Sequence, residues 1–138
     1  MHFSSVDAQN LRLMAFDVDG VMTDGRLLFG PQGEELKVFN TLDGHGLKKL
    51  AASGVTLAII TGRNSPMVAK RAADLGIEHV IQGREDKGVA LEALAEPTDP
   101  LFYVGGSPSM AWAVFDDLIA EGVPAKNIHS DVFDYAPR

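Results

Sequence analysis

Two aspartates stand two residues apart in Phe16-Asp17-Val18-Asp19-Gly20-Val21-Met22-Thr23-Asp24-Gly25, directly after an apolar run that starts at Leu11. Side chains two apart on a strand face the same side, so Asp17 and Asp19 can converge on one ligand or cation. A second chemical motif is Ile59-Ile60-Thr61-Gly62-Arg63-Asn64, where a hydroxyl, a turn glycine and a guanidinium end an apolar run and open a helix. A helix start offers free amides to an anion, and Thr61 and Arg63 add donors. In the third, Glu85-Asp86-Lys87-Gly88, the lysine begins a helix. A cation in the first turn opposes the helix dipole, which points to a phosphate or carboxylate partner.

The elements that must position these groups follow from periodicity. Apolar β-branched runs alternate with helical patterns, the signature of a parallel sheet covered on both faces. Strands are expected over Leu11 to Asp17, Val55 to Thr61, His79 to Gln82, Leu101 to Val104 and Asn127 to Ser130. Helices are expected over Gly46 to Ala52, Pro66 to Leu75, Lys87 to Ala95 and Pro108 to Glu121. Gly54, Gly76 and Gly122 stand where helix ends call for a left-handed residue. Open α/β sheets bind ligands at the carboxyl ends of their strands. Asp17, Asp19, Thr61 and Lys87 are therefore expected to meet at that edge.

Arg26 to Asn40 breaks the alternation. Leu27, Leu28 and Phe29 precede Gly30-Pro31-Gln32-Gly33, and Leu36, Val38 and Phe39 follow, which reads as a β-hairpin. Its apolar residues exceed what one hairpin buries alone, so it is expected to serve self-association.

The 138 residues, 46% hydrophobic and 22% charged, fit one globular α/β domain. A net charge of -7 leaves no basic footprint for nucleic acid or an anionic membrane. The absence of cysteine excludes thiolate metal ligation, disulfides and a cysteine nucleophile. The first residues show no charged flank with an apolar core, and no apolar run is long enough to span a bilayer, so a cytoplasmic location is expected. His45 and His79 read as loop and strand-end residues, Trp112 as packing, and Asp116 and Asp117 as an exposed helix face.

The order Asp-x-Asp-Gly-Val-x-Thr-Asp-Gly, Thr-Gly-Arg, Asp-Lys-Gly resembles the haloacid-dehalogenase-like phosphatases. Within them it resembles the capless 3-deoxy-D-manno-octulosonate 8-phosphate phosphatases, whose pattern the hairpin, Phe39-Asn40 and Asp43-Gly44-His45-Gly46 also match, over about residues 8 to 95. The resemblance implies a three-layer Rossmann-like sheet with a hairpin insertion and no large cap. It implies that Asp17 is the phosphoryl-accepting nucleophile and Asp19 the general acid and base. Thr61 and Lys87 would hold the transferring oxygens, with Gly62, Arg63 and Asp43 also facing substrate. Magnesium would bind Asp17 and the Asp19 main-chain carbonyl. The implied substrate is a phosphorylated eight-carbon sugar acid, and the implied assembly a homotetramer.

The family's fourth motif, Gly-Asp-Asp with a further Asp, is replaced by Tyr103-Val104-Gly105-Gly106-Ser107-Pro108-Ser109-Met110, which contains no acid. Asp116 and Asp117 follow about two turns into the next helix, roughly 10 Å or more along its axis. From Phe102 to Met110, and again in Gly122-Val123-Pro124 and Ile128 to Tyr135, the chain is similar to the end of the nicotinamide-binding domain of ferredoxin-reductase-like flavoenzymes. A chimeric junction is therefore expected near residues 96–105. The alternatives to a phosphatase are a chimeric or engineered scaffold with a vestigial phosphate site, and a nicotinamide-binding fragment.

Overall fold

The computed structural model describes residues 9–94, 102–104, 108–130, 133 and 136. Two compact units emerge, Leu13–Glu85 and the segment from Asp86 onward together with the chain before Leu13.

In the first unit, β1 (Leu13–Phe16) is followed by a hairpin of β2 (Leu28–Gly30) and β3 (Gly33–Leu36), then α1 (Thr41–Ala52), β4 (Thr56–Thr61), α2 (Pro66–Leu75) and β5 (His79–Gln82). The sheet order is β1-β4-β5, all parallel, with Phe16 opposite Ile59 and Thr61 opposite Gln82. β4 is central, and every residue after Thr56 is buried. That is the fate of a continuous apolar run flanked by strands and covered by helices. Leu47 of α1, and Val68, Ala72 and Leu75 of α2, join Leu57, Ile59 and Ile60 in the buried set.

α1 starts five residues before the expected Gly46. The Asn40 side chain caps it by accepting from Leu42 N at 2.8 Å. Gly44 and Gly46 disguised the helix, since glycine is a poor helix former. Gly44 nonetheless has a packing role: a Cβ there would lie 2.5 Å from Arg71 Nη2 and 3.2 Å from Leu75 Cδ2. α2 starts and stops where expected, with Pro66 in its first turn and Gly76 at φ 72° closing it.

In the second unit, α3 (Lys87–Glu92), β6 (Phe102–Tyr103), α4 (Pro108–Ala120), a 3₁₀ turn at Ala125–Asn127 and β7 (Ile128–His129) follow in order, with β6 and β7 parallel. Its core gathers Phe102, Val104, Ala111, Val114, Leu118, Val123 and Ile128. Trp112 packs as expected, its ring centroid 5.5 Å from Phe115 and 4.4 Å from Phe133. The five strands expected in one sheet thus pair, among the described residues, as a set of three and a set of two. Most of the expected junction at 96–105 lies outside the described residues. Among the described residues, no helix is long and apolar enough to cross a membrane.

Candidate functional site

β1 ends at Phe16, so Asp17 is the first residue beyond it. Its Oδ1 accepts from Val18 N at 2.7 Å. The chain then folds into a tight turn in which the Val18 carbonyl accepts from the amides of Val21, Met22 and Thr23, at 3.2, 2.9 and 3.1 Å. Val18 is fully buried and Met22 nearly so, which pins the turn to the core. Gly20 has φ 87°, a value that an L side chain adopts at a cost. Thr23 Oγ1 closes the loop, accepting from Gly20 N at 3.3 Å and Gly25 N at 3.2 Å. The threonine of the first motif is thus a backbone strut. Asp24 pairs outward with Arg26 at 2.6 Å, and the hydrogen bond from that guanidinium lowers the Asp24 pKa below the usual aspartate value.

The Asp19 carboxylate lies between two cations. Lys37 Nζ donates to its Oδ1 at 2.6 Å, and Arg63 Nε stands 3.6 Å from its Oδ2. Lys37 also donates to Glu34 Oε1 at 2.7 Å, and its side chain is only 1% exposed. Burial alone would lower the Lys37 pKa, but the hydrogen bonds to Asp19 and Glu34 outweigh it and the net shift is upward. Sequence reasoning missed Lys37. The signal available was an inverted alternation: Leu36 and Val38 are 60% and 61% exposed while the lysine between them points inward.

Thr61, the last residue of β4, is 2% exposed. The following loop is strapped to the end of β5, since Ser65 N donates to Gln82 Oε1 at 2.7 Å and Thr61 O accepts from Arg84 N at 3.2 Å. Gly62 stands close to the Glu85 carboxylate, which a Cβ there would displace. Arg63 is half exposed and reaches Asp19, which brings the first two motifs together.

Asp43 lies exposed in the first turn of α1, and His45 is in the same helix, not in a loop. His79 opens β5 as expected. The motif around Phe39-Asn40 seats Arg71, whose Nη2 donates to Asn40 O at 3.3 Å and whose guanidinium lies 5.7 Å from the Phe39 ring centroid. Arg71 was also missed, because one arginine on an amphipathic helix carries no distinguishing pattern.

Lys87 is the first residue of α3, in the second unit, with Nζ 3.8 Å from Met110 Sδ. The Cβ of Asp117 on α4 packs against Gly88, where an added methyl would collide with it. Among the described residues, no three His, Asp or Glu side chains cluster to hold a metal. The Asp19 carboxylate is paired with Lys37 and Arg63. A hard divalent cation takes several oxygens, to which the Asp17 carboxylate and the Asp19 main-chain carbonyl can contribute. Gly105 to Ser107 lie outside the described residues.

No family model matches the chain. A curated relative, 3-deoxy-D-manno-octulosonate 8-phosphate phosphatase KdsC of Yersinia pestis, is 46% identical over 112 residues, 81% of this chain and 57% of that protein. This chain thus spans little more than half the length of that curated relative. The Moraxella catarrhalis 3-deoxy-D-manno-octulosonate 8-phosphate phosphatase, solved in complex with magnesium ion, phosphate ion and a KDO molecule, is 50% identical over 63% of this chain and 50% of its own, with a TM-score of 0.61. A Vibrio cholerae structure assigned to the same phosphatase group is 33% identical over 90% of this chain and 76% of its own, with a TM-score of 0.68. An aspartate pair after β1, a Thr-Gly-Arg loop after its neighbour β4, an α/β fold shared with these structures and this level of identity lead to one assignment. The chain belongs to the KdsC-type phosphatases of the haloacid-dehalogenase-like family.

Proposed function

We propose that the protein is a magnesium-dependent phosphomonoesterase acting on a phosphorylated sugar acid of the 3-deoxy-D-manno-octulosonate 8-phosphate kind. The observation that carries this reading is the ion-paired Asp19, held two residues beyond Asp17 and in contact with the arginine of the Thr-Gly-Arg loop. In the reaction, an Asp17 oxygen bonds to phosphorus while the ester P–O bond breaks, and the departing oxygen takes a proton from the Asp19 carboxyl. Water then attacks phosphorus and returns its proton to Asp19, the bond between phosphorus and the Asp17 oxygen breaks, and inorganic phosphate leaves. Thr61, Gly62 and Arg63 bind the transferring phosphoryl oxygens, and Asp43 faces the sugar. When bound at Asp17 and the Asp19 carbonyl, magnesium supplies positive charge against the phosphate. Self-association through the hairpin, toward a tetramer, belongs to the same reading, supported by exposed Leu28, Phe29, Leu36 and Val38.

The test is phosphate release from a panel of sugar phosphates with and without magnesium. Release that requires magnesium and disappears in Asp17→Asn supports the proposal. Because a lost carboxylate weakens magnesium binding and leaves the phosphate and Asp17 charges opposed, the combined Gly106→Asp and Ser107→Asp substitutions should raise the rate. Phosphate or magnesium binding with no release under any condition would favour the vestigial scaffold.

A further inference from the structure

The two oxygens of Asp19 are not equivalent. Oδ1 accepts from the Lys37 ammonium at 2.6 Å, and this ammonium comes from a side chain only 1% exposed. Oδ2 faces Arg63 at 3.6 Å, beyond hydrogen-bond distance, and the Arg63 side chain is 50% exposed. An oxygen that accepts a short hydrogen bond from a buried ammonium is a poor place for a proton, which would point at a donor. The oxygen beside a half-exposed guanidinium keeps a free lone pair and access.

We infer that Lys37 is a positioning residue, which by gripping Oδ1 of Asp19 from the hairpin leaves Oδ2 as the oxygen that passes the proton. This rests on the phosphatase reading above. Glu34 completes the arrangement. Its carboxylate holds the same ammonium at 2.7 Å, so Lys37 keeps an anionic partner when Asp19 carries its proton. The ammonium can then stay in place through both steps of the reaction, and the Asp19 carboxyl does not turn between them. The balance is one proton: Oδ2–H gives it to the departing ester oxygen as the P–O bond breaks, and Oδ2 recovers it from the attacking water.

The experiment separates positioning from folding by choice of leaving group. Hydrolysis of p-nitrophenyl phosphate expels a stable anion that needs no proton, whereas an alkyl ester such as glycerol 3-phosphate does. Loss of a placed general acid costs about 10²-fold or more. Because kcat/KM covers only the steps up to transfer of the phosphoryl group to Asp17, Lys37→Met is expected to lower kcat/KM for the alkyl ester by about 10²-fold while that for the aryl ester changes little, and Lys37→Arg to recover part of the loss. Equal loss with both esters, or with neither, would overturn the inference. Lys37→Gln replaces Lys37→Met if the latter fails to fold. Independently of turnover, the Lys37 ammonium should give a slowly exchanging ¹H–¹⁵N cross-peak that moves in Asp19→Asn, and a peak that does not move overturns the contact itself. No release of phosphate by the unaltered protein from either ester or from the sugar-phosphate panel, with the cross-peak present, overturns the phosphatase reading and with it the catalytic part of the inference.

Discussion

Gly88→Ala and Gly46→Ala make the same chemical change in two helices, and the structure assigns them opposite signs. Replacing a helical glycine by alanine gains up to about 1 kcal/mol from backbone entropy alone. Gly46 sits exposed inside α1, and a Cβ there meets nothing within 4 Å, so the full gain is expected. At Gly88 the new methyl would collide with the Cβ of Asp117 and lie 3.0 Å from the Val114 carbonyl oxygen. Both atoms are fixed by the backbone of α4, so no rotamer change relieves the clash, and α3 must move off the helix that carries buried Ala111, Val114 and Leu118. Overpacking of this kind costs about 1–3 kcal/mol, and the severity of the overlap places Gly88→Ala at the upper end. After subtraction of the propensity gain, a net loss of about 2 kcal/mol remains. With a urea m-value of about 1–3 kcal/mol/M, the midpoint falls by about 1 M for Gly88→Ala and rises for Gly46→Ala. A midpoint for Gly88→Ala equal to or above that of the unaltered protein would refute the close approach of α3 and α4.

Two further outcomes are expected. In an NMR titration the Asp24 carboxyl should titrate below the usual aspartate range, because hydrogen bonds from Arg26 hold it ionised, and Arg26→Ala should return it to that range. Since the folded-state pKa is lowered, any stability this pair contributes is present above the unfolded value and is lost as pH falls through the folded one. Light scattering at micromolar concentration should show an oligomer that Phe29→Glu combined with Leu36→Glu reduces to monomers. Because these side chains are 61% and 60% exposed, the change should leave the circular dichroism spectrum unaltered. A monomer before substitution would remove the hairpin from any role in assembly.

What the sequence revealed, and what it hid, divides along physical lines. α2 was legible from end to end because Pro66 and Gly76 punctuate it and its buried residues recur at helical spacing. β4 was legible because a central parallel strand is apolar on both faces. The start of α1 was hidden by Gly44 and Gly46, of which the structure uses Gly44 for packing against Arg71. In the candidate site, Asp17, Asp19, Thr61 and Arg63 stood out because motifs at strand ends are local in sequence. Lys37 did not, because its partner Asp19 lies 18 residues away and no local pattern marks such a meeting. The Thr23 hydroxyl was equally opaque, since its partners are main-chain atoms.

The inward-pointing lysine also determines how the hairpin keeps its alignment. In a half-buried strand, the alignment is ordinarily enforced by oil: a slip of one residue turns the greasy face to water. Around Lys37 the greasy face is already in water, so that enforcement is missing. A one-residue slip would instead bring Leu36 or Val38 up to the carboxylate of Asp19 and strand that anion beside a hydrocarbon. Charge therefore serves here as the ratchet that hydrophobicity supplies elsewhere. The outward face of the hairpin is thereby released to change with whatever surface it meets, without disturbing the alignment that delivers an ammonium to Asp19.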